Sequence, residues 1–352
     1  MAVARVKNIY WMLAYAFQVL RQGEYESLGA EDFDTLHDLF AAILARGVAA
    51  QVRRGLHRDY VQRVDELAGV RGQIRFDDTI RRQALVKGRL VCGFDEFLVD
   101  TPHNQALKSV MRLLLRQSDL ASSSRESLRR LMSYLEEVTD VAPASIRWDA
   151  IPVHRNNASY QMLLGICRLV VEGLLLSEAG GTRRLRKWFD DETMSSLYER
   201  FVRAYYRHHH PEFGPTAQYI PWDLVDGPRD ALLPVMKTDV TMRYGERVLI
   251  IDTKWYGQAL QRRHHSDHDT YRSDHLYQIH AYVKNADPGR TGNVAGVLLY
   301  AKTDEPVSPD ADLVVGGNPI SVKTLDLDLE WPAVCNQLDG LCSWLVASGD
   351  TA

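Results

Sequence analysis

The sequence predicts a mixed α/β protein with two domains. Segments with helical apolar spacing open the chain, short glycine-punctuated β-like runs follow over residues 48–97, and helices and strands alternate through the C-terminal half. Such alternation indicates a central mixed sheet that is flanked by helices. At 352 residues, of which 45% are hydrophobic, the chain is long enough for two separate cores.

The N-terminal domain, residues 1–158, is predicted to combine helices with a small β-rich region at residues 48–97. Apolar spacing predicts helices over residues 8–20, 33–46, 102–116 and 125–138, and an irregular stretch at 141–158 marks the expected domain boundary. The β-rich region is dense in cations, which suit an anionic surface such as nucleic acid or an acidic protein, although a solvated face beside neighbouring acids explains them equally well. Its candidate partner-binding residues are Arg53, Arg54, Arg58, Arg71, Arg75, Arg81 and Arg82.

The C-terminal domain, residues 159–352, is predicted to be layered. Its expected elements are helices over residues 160–176 and 194–208, a β-hairpin, a helix over 274–285, strands over 296–300 and 320–327, and a closing helix over 331–346. This order of helix, hairpin, helix, strand and helix is typical of an α/β architecture.

Two runs rich in β-branched residues enclose the turn at residues 244–246 and predict the hairpin. A turn centred on residues 245 and 246 pairs Asp239 with Asp252, because the two are equally distant from that centre. Side chains alternate along a strand, so Lys254 is expected to share a face with Asp252 and Thr253 to point away. In this register, two carboxylates and one ammonium meet at one point, whereas a one-residue slip would move Asp239 to the other face.

Burying such a charge cluster is costly unless a cation or an anionic substrate lies within it. Carboxylate oxygens suit Mg²⁺, whereas zinc prefers His or Cys. A lysine two residues after the second aspartate can hold a water nucleophile or neutralise charge on a phosphate. We therefore predict phosphodiester hydrolysis. An Asp-x-Lys triplet alone is a weak signal that more often marks a surface ion pair, but here it ends an apolar strand and follows another aspartate at hairpin distance.

Composition excludes several other classes of protein. The formal net charge of −4 does not indicate nucleic-acid binding by bulk charge, so contact with DNA requires local patches or a partner. The four cysteines show neither CxxC nor Cys/His spacing, which predicts a reducing, cytoplasmic location without a zinc site. No apolar run is long enough to span a membrane, and no Gly-x-x-x-x-Gly-Lys-[Ser/Thr] loop is present to bind GTP.

The hairpin resembles the core of PD-(D/E)xK nucleases, with Thr238-Asp239 in place of the usual Pro-Asp and Asp252-Thr253-Lys254 as the second half. Gln278 and Tyr282 resemble the Gln-x-x-x-Tyr helix of the RecB-like branch, and Glu199 matches an acidic residue that many members carry on the preceding helix. More specifically, the chain resembles the McrC family, the nuclease subunits of McrBC modification-dependent restriction systems. That similarity extends over residues 6–15, 53–56, 69–74, 94–95 with 100–101 and 104, 197–198 with 201, 222–223, 249–256, 276–278 and 330–332.

The resemblance implies a restriction-endonuclease-like C-terminal domain that cuts DNA carrying modified cytosine, with Mg²⁺ held by Asp239 and Asp252. It also implies a partner, an McrB-like AAA+ GTPase hexamer, that receives the β-rich region as an inserted finger and hydrolyses GTP in response. Lys254 is expected to act on the water or the phosphate, Glu199 to add a metal ligand, and Gln278 to orient Lys254 or contact DNA. Arg262, Arg263 and Tyr282 are candidate DNA contacts, and plain solvent exposure is the alternative for the two arginines.

A second hypothesis belongs to a different class of function. The chain would then plug and activate a ring-shaped AAA+ motor, with a nuclease site that is vestigial or directed at another nucleic acid. The intact Asp239, Asp252 and Lys254 set favours the nuclease.

Overall fold

The computed structural model describes residues 4–17, 33, 35–152, 158–179, 191–224, 232–262 and 269–346. Its helices are α1 (Val6–Ala16), α2 (Leu36–Arg54), α3 (Phe76–Arg81), α4 (Pro102–Leu115), α5 (Ser122–Met132), α6 (Ala158–Ala179), α7 (Asp191–His209), α8 (Ser273–Ala286), α9 (Trp331–Leu341) and α10 (Ser343–Val346). Its strands are β1 (Asp59–Leu67), β2 (Gln73–Ile74), β3 (Leu90–Leu98), β4 (Tyr219–Ile220), β5 (Met236–Lys237), β6 (Val240–Tyr244), β7 (Arg247–Lys254), β8 (Leu260–Arg262), β9 (Asp269–Tyr271), β10 (Val294–Ala301), β11 (Ala311–Val315) and β12 (Asn318–Leu325).

The chain divides into two compact units. One comprises Thr35–Val171, and the other joins Met1–Asp34 to Glu172–Ala352. This division differs from the predicted boundary at residue 158, because α1 packs against α7 in the C-terminal unit. The ring of Tyr15 lies 5.9 Å from that of Phe201 and 5.5 Å from that of Tyr205, measured between centroids.

The unit Thr35–Val171 carries a three-stranded antiparallel sheet in the order β1-β3-β2. Strands β1 and β3 pair over nine residues, from Asp59 opposite Leu98 to Leu67 opposite Leu90. Gly72 has a φ of +66°, and a Cβ there would lie 2.4 Å from the carbonyl oxygen of Gly93. Only glycine therefore fits where the segment at residue 72 approaches β3. Helices α2, α4 and α5 pack against one another in the same unit.

The β-like region predicted from residue 48 begins too early, and its first run, residues 50–53, is wrong because α2 continues through Arg54. In the sequence, Gly47 indicated the end of the helix. In the structure, the buried residues Ile43, Gly47, Ala50 and Gln51 keep helical spacing past this glycine. A buried stripe of this kind stabilises a helix through tertiary packing and outweighs the low helix propensity of one glycine.

The C-terminal unit is built on a five-stranded mixed sheet in the order β11-β12-β10-β7-β6. Strands β7, β10 and β12 are parallel, whereas β6 and β11 are antiparallel edge strands. Helix α8 connects β7 to β10 and lies close to the sheet at Gly296, where a Cβ would be 2.7 Å from both Ile279 and Val283. The predicted mixed α/β class, with a central mixed sheet flanked by helices, is confirmed.

Within the described part of the chain, no helix combines the length and the apolar character that crossing a bilayer requires. Three of the four cysteines, Cys92, Cys167 and Cys342, are buried, and Cys335 is half-buried. None of the four is in a disulfide. They pack as small apolar side chains, as the absence of metal-ligand spacing predicts.

Candidate active site

The hairpin β6–β7 has the predicted register. Val240 pairs with Ile251 and Tyr244 with Arg247, so the turn consists of Gly245 and Glu246. Gly245 has a φ of +58°, the left-handed conformation that tight hairpin turns require. Extending the register by one residue sets Asp239, directly before β6, across from Asp252.

Asp239 is fixed by Thr253. Its Oδ2 accepts a hydrogen bond from the Thr253 backbone N–H at 2.7 Å and another from the Thr253 hydroxyl at 2.7 Å. Thr253 thus contributes to the site through Asp239, which precedes the paired ladder, so strand alternation does not set the direction of the Asp239 side chain. Burial and, after it, the nearby charge of Asp252 raise the pKa of Asp239 to about 6, although the Thr253 hydrogen bonds oppose the shift.

Asp252 is 2% exposed and lies in an ion pair with Lys254, with 2.6 Å between Oδ2 and Nζ. Besides this ion pair, Oδ2 is buried and accepts no hydrogen bond from the described residues. Burial raises the pKa of Asp252, and the charge of Lys254 acts against that shift. A buried carboxylate with unused acceptor capacity is a strong candidate to bind a cation.

A chain of hydrogen bonds holds Lys254. Its Nζ donates to Gln278 Oε1 at 2.8 Å, and Gln278 Nε2 donates to the Tyr282 hydroxyl at 2.8 Å. Because α8 presents Gln278 and Tyr282 one turn apart, both reach the end of β7. Gln278 therefore has the geometry to orient Lys254, as predicted. Tyr282, a predicted DNA contact, is only 6% exposed and instead supports Gln278.

Glu199 on α7 is turned towards Arg203. Arg203 Nη1 donates to Glu199 Oε1 at 2.7 Å and to the backbone carbonyl of Asp239 at 2.8 Å. The charge of Glu199 also raises the pKa values of Asp239 and Asp252, after the larger effect of burial. Arg203 thus links Glu199 to the backbone of Asp239, and the metal-ligand role of Glu199 stays a prediction.

These oxygen donors fit a hard divalent cation. Asp239, Asp252 and Glu199 supply carboxylates only, and Mg²⁺ typically takes one or two protein carboxylates and keeps several waters. Among the residues described, no three His, Cys, Asp or Glu side chains already form a metal-binding group. Two aspartates match the one or two protein carboxylates that Mg²⁺ typically takes. Arg203 holds the third carboxylate, Glu199, to one side.

The arginines predicted to contact DNA or the partner lie in two regions of the chain. Arg263 and the side chain of Arg262 lie outside the described residues, although the backbone of Arg262 ends β8. The seven arginines of the N-terminal region, Arg53, Arg54, Arg58, Arg71, Arg75, Arg81 and Arg82, are all exposed. Among them, Arg75 and Arg81 pair with Asp78, and Arg71 lies 3.4 Å from Glu96.

Sequence patterns missed several residues around the site. Thr253 binds Asp239, Arg203 links two elements, and His275 Nδ1 lies 2.7 Å from the hydroxyl of Tyr300, the β10 residue that pairs with Lys254. Burial lowers the pKa of His275 to about 4, and the charge of Lys254 contributes. The i, i+4 spacing of Glu199 and Arg203 was the one local signal for any of these contacts.

Comparison with known proteins gives consistent matches. A family model described as "McrBC 5-methylcytosine restriction system component" matches residues 5–301, which include all the site residues named above. The Type IV methyl-directed restriction enzyme EcoKMcrBC of Escherichia coli (strain K12) is 30% identical over 339 residues, or 96% of each protein. A solved half-complex from a tetradecameric assembly of Thermococcus gammatolerans McrB AAA+ hexamers with bound McrC contains a chain that matches with a TM-score of 0.53 at 18% identity. The match covers 96% of this chain and 75% of that one, and at this identity it shows the fold alone.

Proposed function

Since this chain belongs to the McrC family of McrBC 5-methylcytosine restriction system components, we propose that it is the Mg²⁺-dependent DNA endonuclease subunit of such a system. The observation that carries the proposal is the group of Asp239, Asp252 and Lys254 at the end of the hairpin, in which Asp252 and Lys254 are buried and Asp239 is half-buried. Each of these three side chains is held by a specific contact, with Thr253, Lys254 and Gln278 respectively. Catalysis depends on this degree of orientation of its charged groups.

In this proposal, Asp239 and Asp252 hold the metal ion and Glu199 adds a ligand, directly or through water. When bound, Mg²⁺ supplies Lewis-acid stabilisation of the scissile phosphate. Hydrolysis joins a water oxygen to phosphorus and breaks the phosphorus–oxygen bond to the leaving nucleotide. Lys254, held by Gln278, places its ammonium where it can orient that water or offset the charge that develops on the phosphate oxygens.

The partner that we propose is an McrB-like AAA+ GTPase hexamer, because the T. gammatolerans relative was solved with bound McrB hexamers. This chain lacks a Gly-x-x-x-x-Gly-Lys-[Ser/Thr] loop, so GTP hydrolysis would belong to the partner. The three-stranded sheet within residues 48–97, with its exposed arginines, is the proposed insertion finger. The DNA substrate would carry modified cytosine, by analogy with the methyl-directed E. coli relative.

The test uses the full chain in complex with its AAA+ partner. Asp252→Asn keeps the shape of the side chain but removes its charge, so we expect DNA cleavage to be lost while stimulation of the partner's GTPase persists. Asp312→Asn is the matched control, because Asp312 is a β11 residue of the same sheet that pairs with Lys323 outside the site. Unchanged cleavage by Asp252→Asn would refute the nuclease assignment and favour a chain that only plugs and activates the ring.

A further inference from the structure

Four side chains form a contact chain that leads from Lys254 to the surface. Tyr300 is the β10 partner of Lys254, and its hydroxyl lies 2.7 Å from His275 Nδ1. The His275 ring lies 4.8 Å from the Tyr256 ring, and the guanidinium carbon of Arg272 lies 5.4 Å from the centroid of the Tyr256 ring. We call Tyr300, His275, Tyr256 and Arg272 the Arg272 cluster.

Arg272 is the permanent cation of this cluster. His275 is neutral at physiological pH, because burial and the charge of Lys254 depress its pKa. The acid next to Arg272 is Asp274, whose Oδ1 is 3.8 Å from Nε and whose side chain is largely exposed. At that distance the pair makes no hydrogen bond, and exposed ion pairs contribute little in water.

The Nε–H of Arg272 is buried without a hydrogen-bond acceptor, although 31% of the whole side chain is exposed. The exposed part of the Arg272 side chain is what a ligand can reach, and no described acceptor satisfies its Nε–H. The planar guanidinium is held over the ring of Tyr256, which itself is 37% exposed. A fixed guanidinium suits bidentate recognition of an anion with two oxygens in one plane, such as a phosphate group.

We propose that Arg272, oriented by Tyr256, binds a backbone phosphate of the DNA strand that enters the active site. This inference rests on the proposed nuclease function. Tyr256 follows Lys254 by two residues, which places the Arg272 cluster next to the proposed cleavage site. Contacts of this type fix the register of the strand on the protein and carry no sequence information.

The test is DNA binding by the full chain in complex with its AAA+ partner, with Asp252→Asn as background to prevent cleavage. Binding is measured over a range of salt concentrations on methylated and unmethylated DNA of one sequence. Removing one phosphate contact lowers the slope of log K against log salt by about 1. We expect Arg272→Ala to show that decrease with the same loss of affinity on both DNAs.

Two further variants make the result specific. Arg272→Lys keeps the charge but not the planar fork, so it should retain most of the salt slope with an affinity between those of the wild type and Arg272→Ala. Arg243→Ala is the matched control, because Arg243 is exposed on β6 next to the hairpin turn and contacts Gln218. It should bind DNA as the background protein does.

Three results would overturn the inference. These are a salt slope and affinity for Arg272→Ala equal to those of the Arg243→Ala control, a loss confined to methylated DNA, or an Arg272→Lys variant as weak as Arg272→Ala. Failure of the proposed function is distinguishable, because wild-type complex that binds DNA but never cuts it would count against the nuclease and leave the phosphate contact standing. Thermal unfolding of each variant verifies that binding is compared between folded proteins.

Discussion

Replacing Thr253 with valine is expected to disable the site without unfolding the protein. Valine keeps the shape and the backbone N–H, so Asp239 Oδ2 retains one of its two 2.7 Å hydrogen bonds and loses the hydroxyl. A hydrogen bond to a charged group contributes about 1.5–3 kcal/mol. If that energy serves to orient the carboxylate in the transition state, kcat/KM for DNA cleavage falls about 10- to 100-fold.

The assay is single-turnover DNA cleavage at saturating partner and Mg²⁺, together with denaturant unfolding of each variant. Thr253→Ser restores a hydroxyl and should recover most of the activity. Thr324→Val is the control, because Thr324 is a strand residue of the same sheet whose hydroxyl donates to the neutral carbonyl of Pro309 at 2.7 Å. Cleavage by Thr253→Val at the rate of Thr324→Val would show that the Asp239 contact does not matter for catalysis.

Three other predictions concern neighbouring groups. Gln278→Leu removes the acceptor that orients Lys254. Loss of such a supporting contact should lower kcat by about 10- to 100-fold with little change in DNA affinity. An unchanged kcat would contradict this role of Gln278. The pKa of His275 is about 4 in the folded chain and near 6.5 in the unfolded chain. The free energy of unfolding should therefore be highest above about pH 6.5 and fall as the pH decreases from 6.5 to 4. Urea titrations should show a shallower fall for His275→Gln. Burial raises the pKa of Asp287, but hydrogen bonds from Asn318, Thr291 and Gly292 more than offset this and lower it to about 2. The carboxylate should therefore contribute about 2 kcal/mol of stability above pH 4 that is lost as the pH falls towards 2, and Asp287→Asn should forfeit that amount at pH 7.

The register of the hairpin could be predicted because it depends only on residues that are close in sequence. A two-residue turn at Gly245-Glu246 determines which residues face each other, so counting outwards from it is enough to oppose Asp239 and Asp252. The apolar run of β7 adds that Asp252 is buried. The helical spacing of Gln278 and Tyr282 was also local, and it led to the correct side of α8.

The contacts that sequence reasoning missed depend on distant parts of the chain. Arg272 reaches Tyr256 because α8 begins beside the end of β7, and no spacing pattern reports that. The packing of α1 on α7 brings residues nearly 200 positions apart together, so the predicted boundary at residue 158 assigned α1 to the other domain. The error at residues 50–53 has a different cause, since glycine within a helix resembles a break until the buried stripe is seen.

The central claim is that Asp239 and Asp252 hold a divalent cation. The direct measurement is a crystal of the full chain soaked in Mn²⁺, which replaces Mg²⁺ at oxygen sites and scatters anomalously. An anomalous peak between the two carboxylates that disappears in Asp252→Asn crystals is the predicted result. Well-ordered aspartates with no peak between them, or a peak that persists in Asp252→Asn, would contradict the account.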